Sequence, residues 1–239
     1  MIKDLPLYIT VIFQLTVLVT LFLFYVTMLK SASEIVRNKS TLILASLVLW
    51  LVVQAVLTLN GTYNTDLNAV PPKILILGVA PAAFTMILLF STRRGKRFID
   101  SLPLSNLTYL NIVRIPVELV LYWLYTEHTV PKSMTFEGQN FDIISGITAP
   151  VAAWLLTSGS NGKLILTWNF ICLGLLIHVV FTGIFSAPTP FQKFDFAQPN
   201  VAILHFPFCW LPTFIVPVVL FGHLVSIRRL LGKQRPQST

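Results

Sequence analysis

LYITVIFQLTVLVTLFLFYVTML, residues 7–29, runs from end to end without a charged side chain. A helix of that length covers a hydrocarbon core about 30 Å thick, which takes about 20 mostly apolar residues. The run follows Lys3 and Asp4, exceeds the length of a signal-peptide core and lacks a small-x-small cleavage site, so it reads as a first membrane helix. Six further apolar runs follow at 41–59, 74–90, 107–125, 141–158, 164–185 and 201–227. The expected fold is therefore all-α: one domain over residues 1–239, a polytopic membrane protein built as a seven-transmembrane-helix bundle.

Composition supports that reading. Hydrophobic residues make up 55% of the chain and charged residues only 11%, against roughly 25% charged in a soluble domain. The net charge of +8 does not point to nucleic acid, because the basic residues sit in short clusters flanking apolar runs. Lys30, Arg37, Lys39, Arg93, Arg94, Lys96, Arg97, Lys163, Arg228, Arg229, Lys233 and Arg235 fall in one alternating set of connections and the tail; Lys3, Lys73, Lys132 and Lys193 fall in the other. By the positive-inside bias the rich set is cytoplasmic. With seven crossings this puts the N-terminus outside and the C-terminus in the cytoplasm, in a multi-pass protein of the cell membrane whose first partner is the lipid bilayer. Cys172 and Cys209 lie inside apolar runs without metal-motif spacing and are expected as buried, reduced thiols. No cofactor is assigned, and the oligomeric state is left open.

Ionisable groups inside hydrocarbon are costly, and they are the functional pointers of this sequence. The fourth run contains Asn111, Arg114, Pro116 and Glu118. A central charge costs about 2.5–3.5 kcal/mol, while each Leu, Ile or Val returns about 0.3–0.6 kcal/mol, so this helix is marginal unless its neighbours enclose it. Arg114 and Glu118 are four apart and share a helical face, which predicts an ion pair between them. Pro116 removes a backbone donor and crowds the carbonyl of Ile112, which predicts a break beside the pair. Counting about 1.5 Å per residue, Gln14, Gln54, Glu118, His178 and His205 lie within about 11 Å of the outer boundary and Asp142 lies on it. Asn111, Arg114, Asn169 and His223 fall in the inner half, His223 near the cytoplasmic interface. The expected site is thus an outward-facing polar cavity lined by Arg114, Glu118, Asp142, His178, His205, Gln14 and Gln54. No metal site is assigned; the metal alternative is His178, His205 and Asp142.

Two outer connections stand out. Residues 126–140 carry Glu127, His128, Phe136 and Glu137, and residues 186–200 carry Pro188, Pro190 and Pro199 around Phe191, Phe194 and Phe196. They are expected as interfacial caps, or as lids over a site. Small residues in the third run (Gly78, Ala82) and the fifth (Gly146, Ala149, Ala153) suit close helix contact.

No family is recognised from these residues. Cys209-Trp210-Leu211-Pro212 resembles the Cys-Trp-x-Pro turn of G-protein-coupled receptors, but it lies in the last run and not the sixth. The last run lacks the lysine that a retinal Schiff base needs, and the first and last three runs show no repeat of the kind found in three-plus-one-plus-three sugar transporters. Three functional classes follow: binding or transport of a small molecule with Glu118 as a proton-coupling carboxylate; a non-catalytic sensor or assembly subunit; and a membrane-embedded enzyme acting on lipid-like substrates. The enzyme class carries the least support.

Overall fold

The computed structural model describes residues 2–159 and 162–233; Arg235, counted above among the cytoplasmic basic residues, lies outside them. Among the described residues the chain is helical throughout and has no strand. Helices α1 (Leu7–Leu29) and α2 (Glu34–Leu59) form an apolar hairpin. A π-helical turn, Leu75–Val79, leads into α3 (Ala80–Ser91), which bends by 93° into the short polar helix α4 (Arg93–Ser101). The next span is broken: α5 (Leu104–Tyr109), a 3-10 segment (Leu110–Val113), then α6 (Arg114–Thr126). Helices α7 (Ile143–Thr157) and α8 (Gly162–Ser186) follow, and a second π-helical turn, Leu211–Ile215, leads into α9 (Val216–Lys233).

By length and apolar character five helices are able to cross a membrane, or six if the bent α3–α4 pair counts as one span. This is the architecture of a multi-pass membrane protein. The expected run 141–158 yields only the 15-residue α7, about 22 Å long at 1.5 Å per residue. It is short because Asn140 and Asp142 are folded inward ahead of its first turn.

The 3-10 segment and the two π turns each sit beside a proline. The 3-10 segment precedes Pro116, as the missing donor at that position requires. The π turns precede Pro81 and Pro217, whose nitrogens cannot bond to the carbonyls of Leu77 and Thr213. Both orphaned carbonyls are capped from α2: Gln54 Nε2 donates to Leu77 O at 3.0 Å and Trp50 Nε1 to Thr213 O at 2.9 Å. A third bond, Trp210 Nε1 to Leu51 O at 2.9 Å, adds to this clamp. Three side-chain bonds therefore fasten the C-terminal half of α2 to the proline turns.

The broken span and α9 form the centre of the bundle. Of the most apolar window in Leu104–Thr126, 61% is buried, against 17% in α2. Gly146 brings α7 against this centre, since a Cβ there would lie 2.8 Å from Ile115 Cγ1. The connections 126–140 and 186–200 interlock as a cap: Gln198 Nε2 donates to the carbonyls of Tyr125 and Val130 at 2.9 and 2.7 Å, Ser133 Oγ donates to Asp195 at 2.5 Å, and Tyr122 stacks on Phe136.

Candidate functional site

The two charged groups of the broken span point into the bundle, Arg114 with 2% of its surface exposed and Glu118 with 1%. They do not pair with each other as the four-residue spacing predicted. Arg114 Nη1 lies 3.0 Å from Asp142 Oδ1, at the head of α7, and donates to the carbonyl of Cys172 on α8 at 3.3 Å. Glu118, one turn further on, accepts from Asn140 Nδ2 at 2.6 Å. Asn140 also donates to Met134 O at 2.9 Å and accepts from the Asp142 backbone N–H at 2.9 Å. One asparagine of the outer connection thus holds the glutamate, the connection itself and the start of α7.

Asp142 is not at the water boundary but 4% exposed, because Arg114 draws it inward. Several polar atoms of the cluster have no hydrogen-bond partner among the described residues: Arg114 Nε and Nη2, Glu118 Oε2 and Ser145 Oγ. Buried donors and acceptors of this kind cost about 1–3 kcal/mol each when unmatched. The cluster therefore holds unmet hydrogen-bonding capacity. Its two carboxyl groups face one guanidinium, so it is electrically neutral only when it also holds a proton.

A second polar step lies toward the start of the broken span. His223, expected near the interface, is fully buried: its Nδ1 is 3.0 Å from Asn169 Oδ1 and its ring faces Trp168 at 5.8 Å. Asn111 is also buried and donates to the carbonyls of Leu107 and Thr108 at 3.3 and 3.0 Å.

The remaining expected site residues do not converge. His178 is exposed on the outer surface of α8 and Gln14 is half-buried on α1. His205 is half-buried, with its ring nitrogens 3.0 Å from Val201 O and 3.3 Å from Asn64 Nδ2. Gln54 is fully buried, but it caps Leu77 and accepts from Tyr63 Oη at 2.5 Å. Burial holds the Tyr63 hydroxyl well above the usual phenol range, so it stays a donor in that bond. The metal alternative finds no ligand set: among the described residues no three His, Cys, Asp or Glu side chains come together, and His178 is exposed whereas Asp142 is buried. Both cysteines are buried and free.

Sequence reasoning missed Asn140, Ser145 and the Cys172 carbonyl. Asn140 lies two residues before Asp142 in a connection read as interfacial, and no hydropathy signal marks it as interior. Two apolar clefts lie elsewhere in the bundle, and neither is lined by Arg114, Glu118 or Asp142. One, of about 180 Å3, lies among Val79, Val179, Gly183, Leu211 and Val216 and reaches Asn200. The other, of about 440 Å3, lies between α2 and α3.

Residues 71–231 match the family model described as Domain of unknown function (DUF8737). The chain belongs to that family. No curated protein and no solved structure matches it. The DUF8737 stretch contains Arg114, Glu118, Asn140, Asp142, Asn169 and His223, whereas Gln14 and Gln54 precede it.

Proposed function

We propose that this protein binds or transports a small molecule within the membrane and that its Arg114–Asp142–Glu118 cluster takes up a proton as part of that cycle. The observation that carries the reading is the charge arithmetic of the enclosed cluster: two carboxyl groups, one guanidinium and four polar atoms without partners. An uncompensated buried charge costs several kcal/mol, so a proton or a ligand charge that balances the cluster is strongly favoured. Asn140 links Glu118 to the outer connection, so a change at the carboxyl group is passed directly to the cap over the outward side.

The same reading places seven crossings in the membrane. α3 with the preceding π turn and the short α7 serve as the third and fifth, the N-terminus lies outside and the C-terminus in the cytoplasm of a cell-membrane protein. The basic connections, including α4, then lie on one face.

The test is solute-driven proton uptake in proteoliposomes loaded with a pH-sensitive dye and offered a panel of small organic anions and amphiphiles. Glu118→Gln is expected to abolish the uptake that the wild type shows, and Arg114→Ala to weaken it. Equal uptake by wild type and both variants for every solute overturns the reading.

A second reading, a non-catalytic sensor or assembly subunit, is favoured by the completeness of the enclosure: the three charged side chains are 1–4% exposed. Under it, replacing Arg114 and Asp142 together with leucine, which strands neither partner of the ion pair, leaves folding and activity intact.

A further inference from the structure

Helix α2 is bonded to the proline turns through Trp50, Gln54 and the bond from Trp210 to Leu51, all in its C-terminal half. Below Trp50 it stands away from α3, and the gap is the cleft of about 440 Å3, within the size range of ligand sites. Its walls are Leu47 and Trp50 of α2, Thr85 and Leu89 of α3, and Phe221 of α9. Ser46 and Thr85, at its edges, are exposed on the bundle surface, so the cleft opens sideways toward lipid.

Helix α4 forms the sill of this cleft. It leaves the foot of α3 at 93° and ends against the α1–α2 turn, where Ser31 Oγ donates to Ser101 Oγ at 2.8 Å and Ala32 N to Ser101 O at 2.9 Å. Arg228 of α9 clasps Asp100 through two bonds of 3.2 Å. Phe98 faces upward into the cleft, while Arg93, Arg94 and Arg97 are exposed at the surface and Lys96 is half-buried. An apolar slot thus ends on Phe98 of a helix whose exposed side carries three arginines.

We propose that this cleft is a binding site for an anionic phospholipid, one acyl chain lying in the slot between α2 and α3 and the phosphate resting on Arg93, Arg94 and Arg97 of α4. Charge complementarity selects this occupant over a neutral hydrocarbon: basic residues grouped at the end of a membrane helix attract anionic headgroups, and an apolar slot alone does not place a charge. The site is separate from the Arg114 cluster and does not depend on its role.

The test is native mass spectrometry of the purified full chain, delipidated and then titrated with dioleoyl phosphatidylglycerol or dioleoyl phosphatidylcholine. The wild type is expected to retain one phosphatidylglycerol in preference to phosphatidylcholine. Ser46→Phe with Thr85→Phe, both at exposed positions, fills the slot and is expected to abolish retention of either lipid. Arg93→Gln with Arg94→Gln and Arg97→Gln is expected to keep weak retention but lose the preference, roughly fivefold per arginine and on the order of a hundredfold in all. Unchanged helicity of both variants by circular dichroism guards against misfolding. Equal retention of the two lipids by the wild type overturns the proposal, as does retention unaltered in both variants.

Discussion

At the scale of single residues the bundle is organised by one buried guanidinium. Removing one member of a buried pair strands the other, at a cost of about 3–5 kcal/mol, whereas replacing both with apolar groups is often nearly neutral. Asp142→Ala is therefore expected to lower thermal stability in detergent sharply, and Arg114→Leu with Asp142→Leu to recover most of the loss; a double variant as unstable as the two single losses summed would dissolve the pair. Glu118→Gln keeps an oxygen for the Asn140 amide and is expected to change stability by less than about 1 kcal/mol. A loss as large as that of Asp142→Ala would mean that Glu118 is held as an anion by Arg114 and would remove the proton from the cluster. Arg114 and Glu118 were legible because a charge inside an apolar run has few places to go. Their partners were not: i, i+4 spacing describes neighbours on one helix, and the groups that satisfy them come from α7, α8 and the outer connection. His178 and Gln14 were drawn into the expected cavity by depth alone. Counting along a helix gives height, not the face, and α1 and α8 are apolar all round, so their sequences carry no facial signal.

At the scale of elements, small residues and prolines decide how the helices meet. A Cβ at Gly146 would sit 2.8 Å from Ile115 Cγ1 and 3.0 Å from the Ile115 backbone nitrogen, which cannot move without shifting α6. Gly146→Ala is expected to cost about 1–3 kcal/mol through overpacking. Gly174, on α8, has nothing within 4 Å of its would-be Cβ, and Gly174→Ala is expected to gain up to about 1 kcal/mol from helix propensity alone. Thermal unfolding of the two variants side by side checks this, and equal effects would refute the close approach. The apolar runs were legible as helices because lipid leaves the backbone no other way to bond. Their internal breaks were legible only in part. Pro116 announced the 3-10 segment, but the π turns at Leu75–Val79 and Leu211–Ile215 depend on Gln54 and Trp50 arriving from another helix to take the orphaned carbonyls. Helix α4 was hidden because RRGKRFIDS reads as a polar loop, and only Phe98 and the buried Ile99 mark the side it turns inward.

For the whole molecule, orientation depends on which side of the membrane each connection occupies. The basic residues of the α1–α2 turn, α4 and the end of α9 are gathered structurally as well as in sequence: Ser31 meets Ser101, Arg228 meets Asp100, and Arg229 donates to the carbonyl of Leu102. These contacts put three connections on one face of the bundle, while the α2–α3 connection meets the 186–200 side through Asn64 and His205. On the proposed orientation the first face is the cytoplasmic one, as the positive-inside bias expects. With Cys172 and Cys209 both buried, single introduced cysteines report the orientation cleanly. Asn68→Cys in the α2–α3 connection and Asn38→Cys near the start of α2 are both at exposed positions. A membrane-impermeant maleimide is expected to label Asn68→Cys in intact cells and Asn38→Cys only after permeabilisation. Labelling in the reverse order would invert the molecule, turning the capped side of the Arg114 cluster to the cytoplasm and the α4 arginines to the outer leaflet. Labelling of both in intact cells would show that the two connections share a side, and would remove the odd number of crossings on which the proposed orientation depends.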